Sequence, residues 1–320
     1  MKIDTPGVYS GIDMDAYLAD PAPTVSLSSG VAFTLDTQSP LHAWYCTKLN
    51  PNRVVDNSKE ADIGSVAHDV LLEGGTDRIV VIDPADYPSK PKKAGEPGTI
   101  PRGWTNNAIR AARAEARTAG KYPILKDDSV AVSAMVTAAR EFIERTELRG
   151  IFERSKPELT LLWQEGAVWL RARPDLLTDD RSVCLHIKTT VGSVNPKAFE
   201  RIVDSCGYDF ALMFYARGLA ELEPGAGART RHIIMAQEQK APHACALYDL
   251  TPAKASIASG RVGRAIDTWG RCMKSGRWPA YDTRIHSLEP KPWHLAEEEE
   301  RNFLALGEVD PIQEREGMQI

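Results

Sequence analysis

A block of short apolar runs between residues 158 and 188 constrains the fold of this chain more than any other feature. Residues 158–177 read ELTLLWQEGAVWLRARPDLL, in which two apolar runs flank a turn at Glu165-Gly166. The sequence SVCLHIK at 182–188 follows a further turn and supplies a third run. Short apolar runs bounded by turn residues predict β-strands, so we expect a three-stranded unit here.

Helical patterns lie on both sides of this block. The spacing of apolar residues predicts helices over 59–75, 105–119, 129–147, 195–222 and 252–275. Further strands are predicted over 78–83, 231–238 and 244–251, whereas residues 1–25, rich in Pro, Gly and Asp, are expected to wrap the surface. This alternation favours an α/β fold with a central mixed β-sheet flanked by helices.

The composition limits the classes of protein. A chain of 320 residues with 42% hydrophobic residues can bury one large core, and its net charge of −5 argues against a globally basic binder. Its five cysteines form no CxxC pair, which argues against a zinc ribbon or an iron–sulfur cluster and fits a reducing compartment. Without an apolar signal core or a spanning apolar run, we expect a soluble, cytoplasmic protein with no membrane partner.

Basic side chains are concentrated in one segment. Nine basic and two acidic residues lie between Lys90 and Lys126, and Arg110, Arg113 and Arg117 share one face of the predicted helix. Such a face is either solvated surface or a contact surface for phosphates. The tail at 286–320, with EEEE at 297–300, is predicted to be solvated.

The central block also carries a set of charged residues. Asp175 follows Arg173-Pro174, and His186 and Lys188 lie two residues apart on the next strand, so their side chains share a face. A hairpin would bring Asp175 beside them. A carboxylate that binds a divalent cation next to a lysine is what metal-assisted phosphodiester hydrolysis needs. From the spacing alone, an ordinary surface ion pair explains the pattern equally well.

A longer series of motifs makes the pattern more specific. In order along the chain they are GVYSGIDMDAYLAD, SLSSG, SPLHAWY, IGSVAHDVLLEG, RPD, IKTT, GYDFALMFYARGL and MAQE. The series resembles the PD-(D/E)xK nuclease superfamily and, within it, the exodeoxyribonuclease VIII (RecE-type) family, which includes phage-encoded members. The resemblance implies a restriction-endonuclease-like core over 151–285, an N-terminal helical portion over 1–150 that contributes to the site, and an acidic tail over 286–320.

The resemblance also implies roles for individual residues. Asp175 matches the first metal-binding aspartate, Lys188 the catalytic lysine, and His68 in GSVAH an additional metal ligand. Glu158 matches an acidic position at the start of the core sheet, and we include it among the catalytic candidates. The aromatic positions Tyr208 and Tyr215 are also matched, and we interpret these tyrosines as packing residues.

Two positions depart from the family pattern. His186 stands where an Asp or Glu is expected, and Ala211 stands where a glutamine is expected. If His186 is a ligand with His68 and Asp175, the site has two imidazoles and one carboxylate. Magnesium prefers oxygen ligands, so such a set would favour Mn²⁺ over Mg²⁺.

Three functions remain open at this point. The leading one is a metal-dependent exonuclease acting at double-stranded DNA ends, in phage-type recombination with a single-strand annealing recombinase and as a homo-oligomer. The second is a catalytically inactive pseudonuclease that binds DNA or a protein, as a recombination or defence-related factor, and it is motivated by His186 and Ala211. The third is another metal-dependent hydrolase, although the sequence lacks a P-loop, GxSxG or HExxH motif.

Overall fold

A five-stranded mixed sheet is built from the segments after residue 154. Its strand order is β11-β10-β9-β8-β5, where β9 and β10 are parallel and the other neighbours are antiparallel. The strands are β5 (Ser155–Pro157), β8 (Leu176–Thr178), β9 (Val183–Thr190), β10 (Arg231–Glu238) and β11 (Cys245–Tyr248). The two long central strands are buried along most of their length, as expected for parallel neighbours covered on both faces.

The predicted hairpin belongs to a second sheet. This four-stranded sheet has the order β1-β6-β7-β2, with β1 (Gly7–Tyr9), β2 (Leu27–Ser28), β6 (Thr160–Glu165) and β7 (Val168–Ala172). Pro174, which has no N–H to donate to a ladder, marks the passage from β7 to β8. The expected single central sheet is therefore divided between two sheets, although the fold is α/β with flanking helices, as predicted.

The structure is a computed structural model, and it describes residues 2–53, 63–73, 79–91 and 98–307. Residues Met1–Ala280 form one unit. In this unit the helices are α1 (Met14–Leu18), α2 (Ser29–Thr37), α3 (Pro40–Tyr45), α4 (Ile63–Glu73), α5 (Asn107–Thr118), α6 (Lys126–Ile143), α7 (Pro196–Cys206), α8 (Tyr208–Leu222) and α9 (Pro252–Ser275). The second unit, Tyr281–Ile320, contains α10 (Pro292–Gly307) in its described part. None of the described helices is both long and apolar enough to cross a membrane.

Several boundaries differ from the sequence prediction. The helix expected over 195–222 is interrupted at Gly207, whose φ of +66° is a left-handed conformation that ends α7 and caps α8. The N-terminal portion contains β1 and β2, which the sequence did not predict. It also contains a small parallel sheet in which β3 (Ile79–Ile82), within the strand predicted over 78–83, pairs with the unpredicted β4 (Tyr122–Leu125). The first residues do not merely wrap the surface, because Ile3 and Ile12 are buried against Trp169.

Helices cover both faces of the five-stranded sheet. On one face α4 and α6 pack against Leu185, Ile187 and Met235. On the other face Cys184 belongs to the main core, which also contains Phe210 and Phe214 of α8. The alternation along β9 therefore directs Cys184, His186 and Lys188 to the α8 side.

Candidate metal centre and cleft

Asp175 lies immediately before β8, where the hairpin of β8 and β9 brings it beside Lys188. Its carboxylate is largely buried, and Oδ2 accepts a hydrogen bond from the backbone N–H of Ile187 at 2.6 Å. The Nζ of Lys188 lies 3.3 Å from the same oxygen. The antiparallel register, with Leu176 opposite Leu185, produces this arrangement. The structure thus brings together the two groups that the RPD and IKTT motifs carry.

Helix α4 supplies His68 to the same point. His68 Nε2 lies 3.5 Å from Asp175 Oδ1, and Nδ1 lies 3.5 Å from Asp69 Oδ1. One turn earlier, a Cβ on Gly64 would lie only 2.1 Å from Thr189 Oγ1 of β9. The missing side chain therefore allows α4 to approach the end of β9 closely enough for His68 to reach Asp175.

The charges at this point stabilise each other. Burial alone would raise the pKa of Asp175, but the positive charges of Lys188 and His68 outweigh burial and hold it well below its usual range. Burial likewise disfavours the protonated form of His68, yet the Asp175 carboxylate and its hydrogen bond raise the pKa of His68 to about 10. Asp175 is therefore an ionised, buried carboxylate, the form that binds a cation.

Glu158 completes the group from the segment between β5 and β6. Its backbone N–H donates to the carbonyl oxygen of Asp175 at 3.0 Å, and its carboxylate forms an ion pair with Arg173. Burial raises the pKa of Glu158 and opposes the effect of Arg173. The residue has a φ of +54°, a left-handed conformation that is uncommon for a non-glycine residue. Strained backbone of this kind is concentrated at functional sites.

One ligand atom from each of His68, Glu158 and Asp175 lies within 4.8 Å of the others. The donor set contains two carboxylates and one imidazole, which suits a hard or borderline divalent cation. Lys188 borders this group through its contact with Asp175. The three residues thus fit a divalent metal ion, which would displace the proton that Asp175 holds on His68 in the metal-free chain.

His186 lies in a different environment from the one the sequence suggested. It is fully buried, and its Nε2 is 3.2 Å from Nδ1 of His232 on β10. Among the described residues it groups with Cys184 and His232, whereas His68 and Asp175 group with Glu158. Burial, and then the neighbouring His232, lowers the pKa of His186 well below its usual range. The preference for Mn²⁺, which depended on His186 as a ligand, therefore loses its basis.

The candidate metal centre opens into a large cleft of about 1710 Å³. Arg113 and Arg117 of α5 line this cleft, together with Trp104, over whose ring the Arg113 guanidinium lies at 4.5 Å. Arg110 is not among the lining residues. Its guanidinium instead donates to the carbonyl oxygens of Trp104 and Thr105 at 2.9 and 3.1 Å. Two of the three predicted arginines thus face the cleft.

Gln239 is one of the polar side chains in the cleft that the sequence prediction did not identify. Gln239 follows β10, lines the cleft and donates through Nε2 to Thr189 Oγ1 at 3.3 Å. Because β9 and β10 are parallel, they end at the same edge of the sheet, and this signal could have placed Gln239 near the site. Ala211 does not line the cleft.

The two tyrosines predicted to be packing residues both line the cleft. The Tyr208 ring lies beneath the Lys188 ammonium, at 5.8 Å from Nζ. The Tyr215 ring lies 5.2 Å from that of His186. Burial raises the pKa of Tyr215 to about 12, so its hydroxyl stays protonated.

Comparisons with known proteins place this chain in a family. Residues 49–289 match the model of a PDDEXK-like domain of unknown function, DUF3799, and the chain belongs to this family. The fold is similar to the crystal structure of a "putative exonuclease" from Eubacterium rectale, with a TM-score of 0.52 and 12% identity over 84% of this chain and 92% of that one. No curated protein matches the sequence.

Proposed function

We propose that this protein is a metal-dependent deoxyribonuclease that hydrolyses phosphodiester bonds at the ends of double-stranded DNA. The observation that carries the proposal is the group of His68, Glu158 and Asp175 beside Lys188 at the wall of an open cleft. Membership of a PDDEXK-like family and the fold shared with the E. rectale protein support it.

The residues present suit Mg²⁺ or Mn²⁺. A bound divalent cation supplies Lewis-acid chemistry: it lowers the pKa of water and offsets charge that develops on a phosphoryl oxygen. The second carboxylate of the group comes from Glu158. The site therefore does not need a carboxylate at position 186, where the family pattern expects Asp or Glu. The change at His186 is therefore compatible with an active nuclease.

The chain's own residues have distinct tasks in this reaction. Asp175, held ionised by its neighbours and fixed by the Ile187 N–H, orients its carboxylate toward the cation site. Lys188, 3.3 Å from Asp175, presents an N–H donor that orients the attacking water or stabilises the negative charge on the phosphorane. Water attacks directly, so no covalent protein intermediate forms.

DNA would lie along the basic side of the cleft. Arg113 and Arg117 are on the same side of α5, and their guanidinium groups can pair with backbone phosphates regardless of sequence. The action at DNA ends, the annealing recombinase and the homo-oligomer come from the resemblance to RecE-type exonucleases and stay predictions.

The test is digestion of labelled linear and covalently closed duplex DNA with Mg²⁺, with Mn²⁺ or with a chelator. We expect degradation of the linear duplex from its ends in at least one metal, none with the chelator and none of the closed circle. Lys188→Ala should reduce the rate by about 10²-fold or more, as for loss of one preorganised donor. Lys156→Ala is a matched control, since Lys156 is exposed and its Nζ lies 3.8 Å from Oδ1 of the exposed Asp179.

Two outcomes would contradict the proposal. Degradation that persists in Lys188→Ala would place the chemistry elsewhere in the chain. Duplex binding without cleavage in either metal would favour the pseudonuclease, and cleavage restored by His186→Asp with Ala211→Gln would strengthen that alternative.

A further inference from the structure

A second group of thiol and imidazole side chains lies buried on the α8 face of the five-stranded sheet. Cys184, His186 and His232 each offer one ligand atom, and these atoms lie within 4.8 Å of one another. Cys184 and His186 are 0% exposed and His232 is 5% exposed. The group shares no residue with His68, Glu158 and Asp175.

The register of the two parallel strands produces this group. Cys184 and His186 are two residues apart on β9 and share a face. His232 on β10 lies opposite Cys184, so its side chain is on the same face of the sheet. Parallel pairing of β9 and β10 thus brings one thiol and two imidazoles close together, and all three residues lie on the strands themselves.

Packing alone does not account for two histidines at this point. A neutral imidazole has one donor and one acceptor, and the contact between His186 and His232 uses one nitrogen of each ring. Among the described residues, His186 Nδ1 and His232 Nε2 are buried without a hydrogen-bond partner. Burial also lowers the pKa of His232 to about 4, which keeps its imidazole neutral and able to bind a metal.

We propose that Cys184, His186 and His232 bind one thiophilic transition-metal ion of the Zn²⁺ class, at a site separate from the candidate metal centre. The two facing nitrogens are 3.2 Å apart, close to the roughly 3.3 Å expected for two imidazoles bound tetrahedrally at about 2.0–2.1 Å from one zinc ion. A thiolate with two imidazoles is a soft donor set, unlike the carboxylate-rich set at Asp175.

Binding changes the protonation of one group. Burial raises the pKa of Cys184 well above its usual value, so the thiol carries its proton in the metal-free chain. The ion displaces this proton as it bonds to the sulfur, and both imidazoles bind neutral. One Zn²⁺ taken up therefore releases one proton to solvent, and the site keeps a net charge of one positive unit.

The ion would join the two central strands directly behind the catalytic candidates. His186 is two residues before Lys188, and Cys184 and His232 are paired across β9 and β10. A structural ion at this position would restrain the strand that carries Lys188, and it would stabilise the folded chain by an amount that rises with the logarithm of its affinity.

The experiment loads the full-length, metal-free protein with Co²⁺ and records its absorption spectrum. A sulfur-to-cobalt charge-transfer band is expected, because Cys184 is the only thiol in the group. The band should disappear in Cys184→Ala and persist in Cys272→Ala, since Cys272 is also buried but lies in α9. It should also persist in Asp175→Asn, which alters the other centre. Absence of the band in folded wild-type protein, or its survival in Cys184→Ala, would overturn the proposal.

A second measurement does not depend on whether any variant folds. X-ray absorption at the zinc edge of wild-type protein with one Zn²⁺ per chain should show one sulfur scatterer at about 2.3 Å with nitrogen at about 2.0 Å. A first shell with oxygen and nitrogen only would place the ion at the carboxylate-rich centre and refute the site. Zn²⁺ should also raise the melting temperature of the wild type by several degrees more than that of Cys184→Ala, in which the carboxylate-rich centre can still bind the ion.

Discussion

Gly64→Ala should displace α4 from the site while lowering the unfolding free energy of the protein only slightly. An added Cβ would lie 2.1 Å from Thr189 Oγ1, 2.5 Å from Gln239 Nε2 and 2.9 Å from Thr189 Cβ. The side chain of Gln239 can move, and rotation of Thr189 can carry Oγ1 away. Rotation cannot move the Thr189 Cβ, so the helix itself must retreat.

The size of this retreat follows from the distances. Ordinary contact begins at 3.4 Å, so α4 must move about 0.5 Å to clear the Thr189 Cβ and about 1.3 Å if Thr189 keeps its rotamer. His68 is one turn away, and its Nε2 is 3.5 Å from Asp175 Oδ1. A misplacement of about 1 Å costs about 10²-fold in rate. Overpacking costs about 1–3 kcal/mol of unfolding free energy, and replacing a helical glycine by alanine returns about 1 kcal/mol.

The assay measures exonuclease rate and thermal unfolding on the same samples. We expect the rate of Gly64→Ala to fall about 10²-fold, with a loss of stability of only about 1 kcal/mol. Gly263→Ala in α9 is the control, since the nearest atom to its Cβ among the described residues would be Arg217 Nη1 at 3.7 Å, an ordinary contact distance. Adding Thr189→Gly, which removes both the Oγ1 and the Cβ that the new methyl group meets, should recover part of the rate. A wild-type rate in Gly64→Ala, or no recovery in the double variant, would refute this account of α4.

Three further predictions concern the fold, the cleft and the metal centre. Gly207→Ala should lower the unfolding free energy, measured by thermal denaturation, by about 2–4 kcal/mol, because overpacking adds to left-handed backbone strain. Gly276→Ala should lower it by about 1 kcal/mol, from backbone strain alone. Replacing Arg113 and Arg117 together by Gln should weaken duplex binding and reduce the slope of log K against log salt by about 1.8, measured by fluorescence anisotropy. Glu158→Gln should raise the metal concentration needed for half-maximal cleavage about tenfold or more, measured by metal titration of the rate.

Each of these has an outcome that contradicts it. Equal losses in the two glycine variants would show that the Phe33 ring, which a Cβ on Gly207 would approach to 2.4 Å, yields without cost. Arg110→Gln is the control for the salt slope. An equal change of slope in this variant would show that an arginine need not line the cleft to contact DNA phosphates. An unchanged metal requirement in Glu158→Gln would remove this carboxylate from the ligand set.

Local patterning in the sequence is enough to predict many of the individual elements. The β6–β7 hairpin, β9, β10 and α9 follow from apolar runs and turn residues that act within a few positions. The approach of Asp175 to Lys188 was also within reach, since one short turn joins their strands and the side-chain period of a strand fixes the shared face.

Which candidate ligands lie close together depends instead on long-range packing. His68 reaches Asp175 because α4 packs on the end of β9, a contact between segments more than a hundred residues apart. Glu158, not His186, joins them: the left-handed backbone at Glu158 turns the chain beside Asp175, whereas His186 is buried between the sheet and α8. Strand periodicity fixes the face on which His186 lies, but its partner on that face depends on the neighbouring strand: the parallel register of β9 and β10 sets His186 beside His232, and α8 covers it with Tyr215.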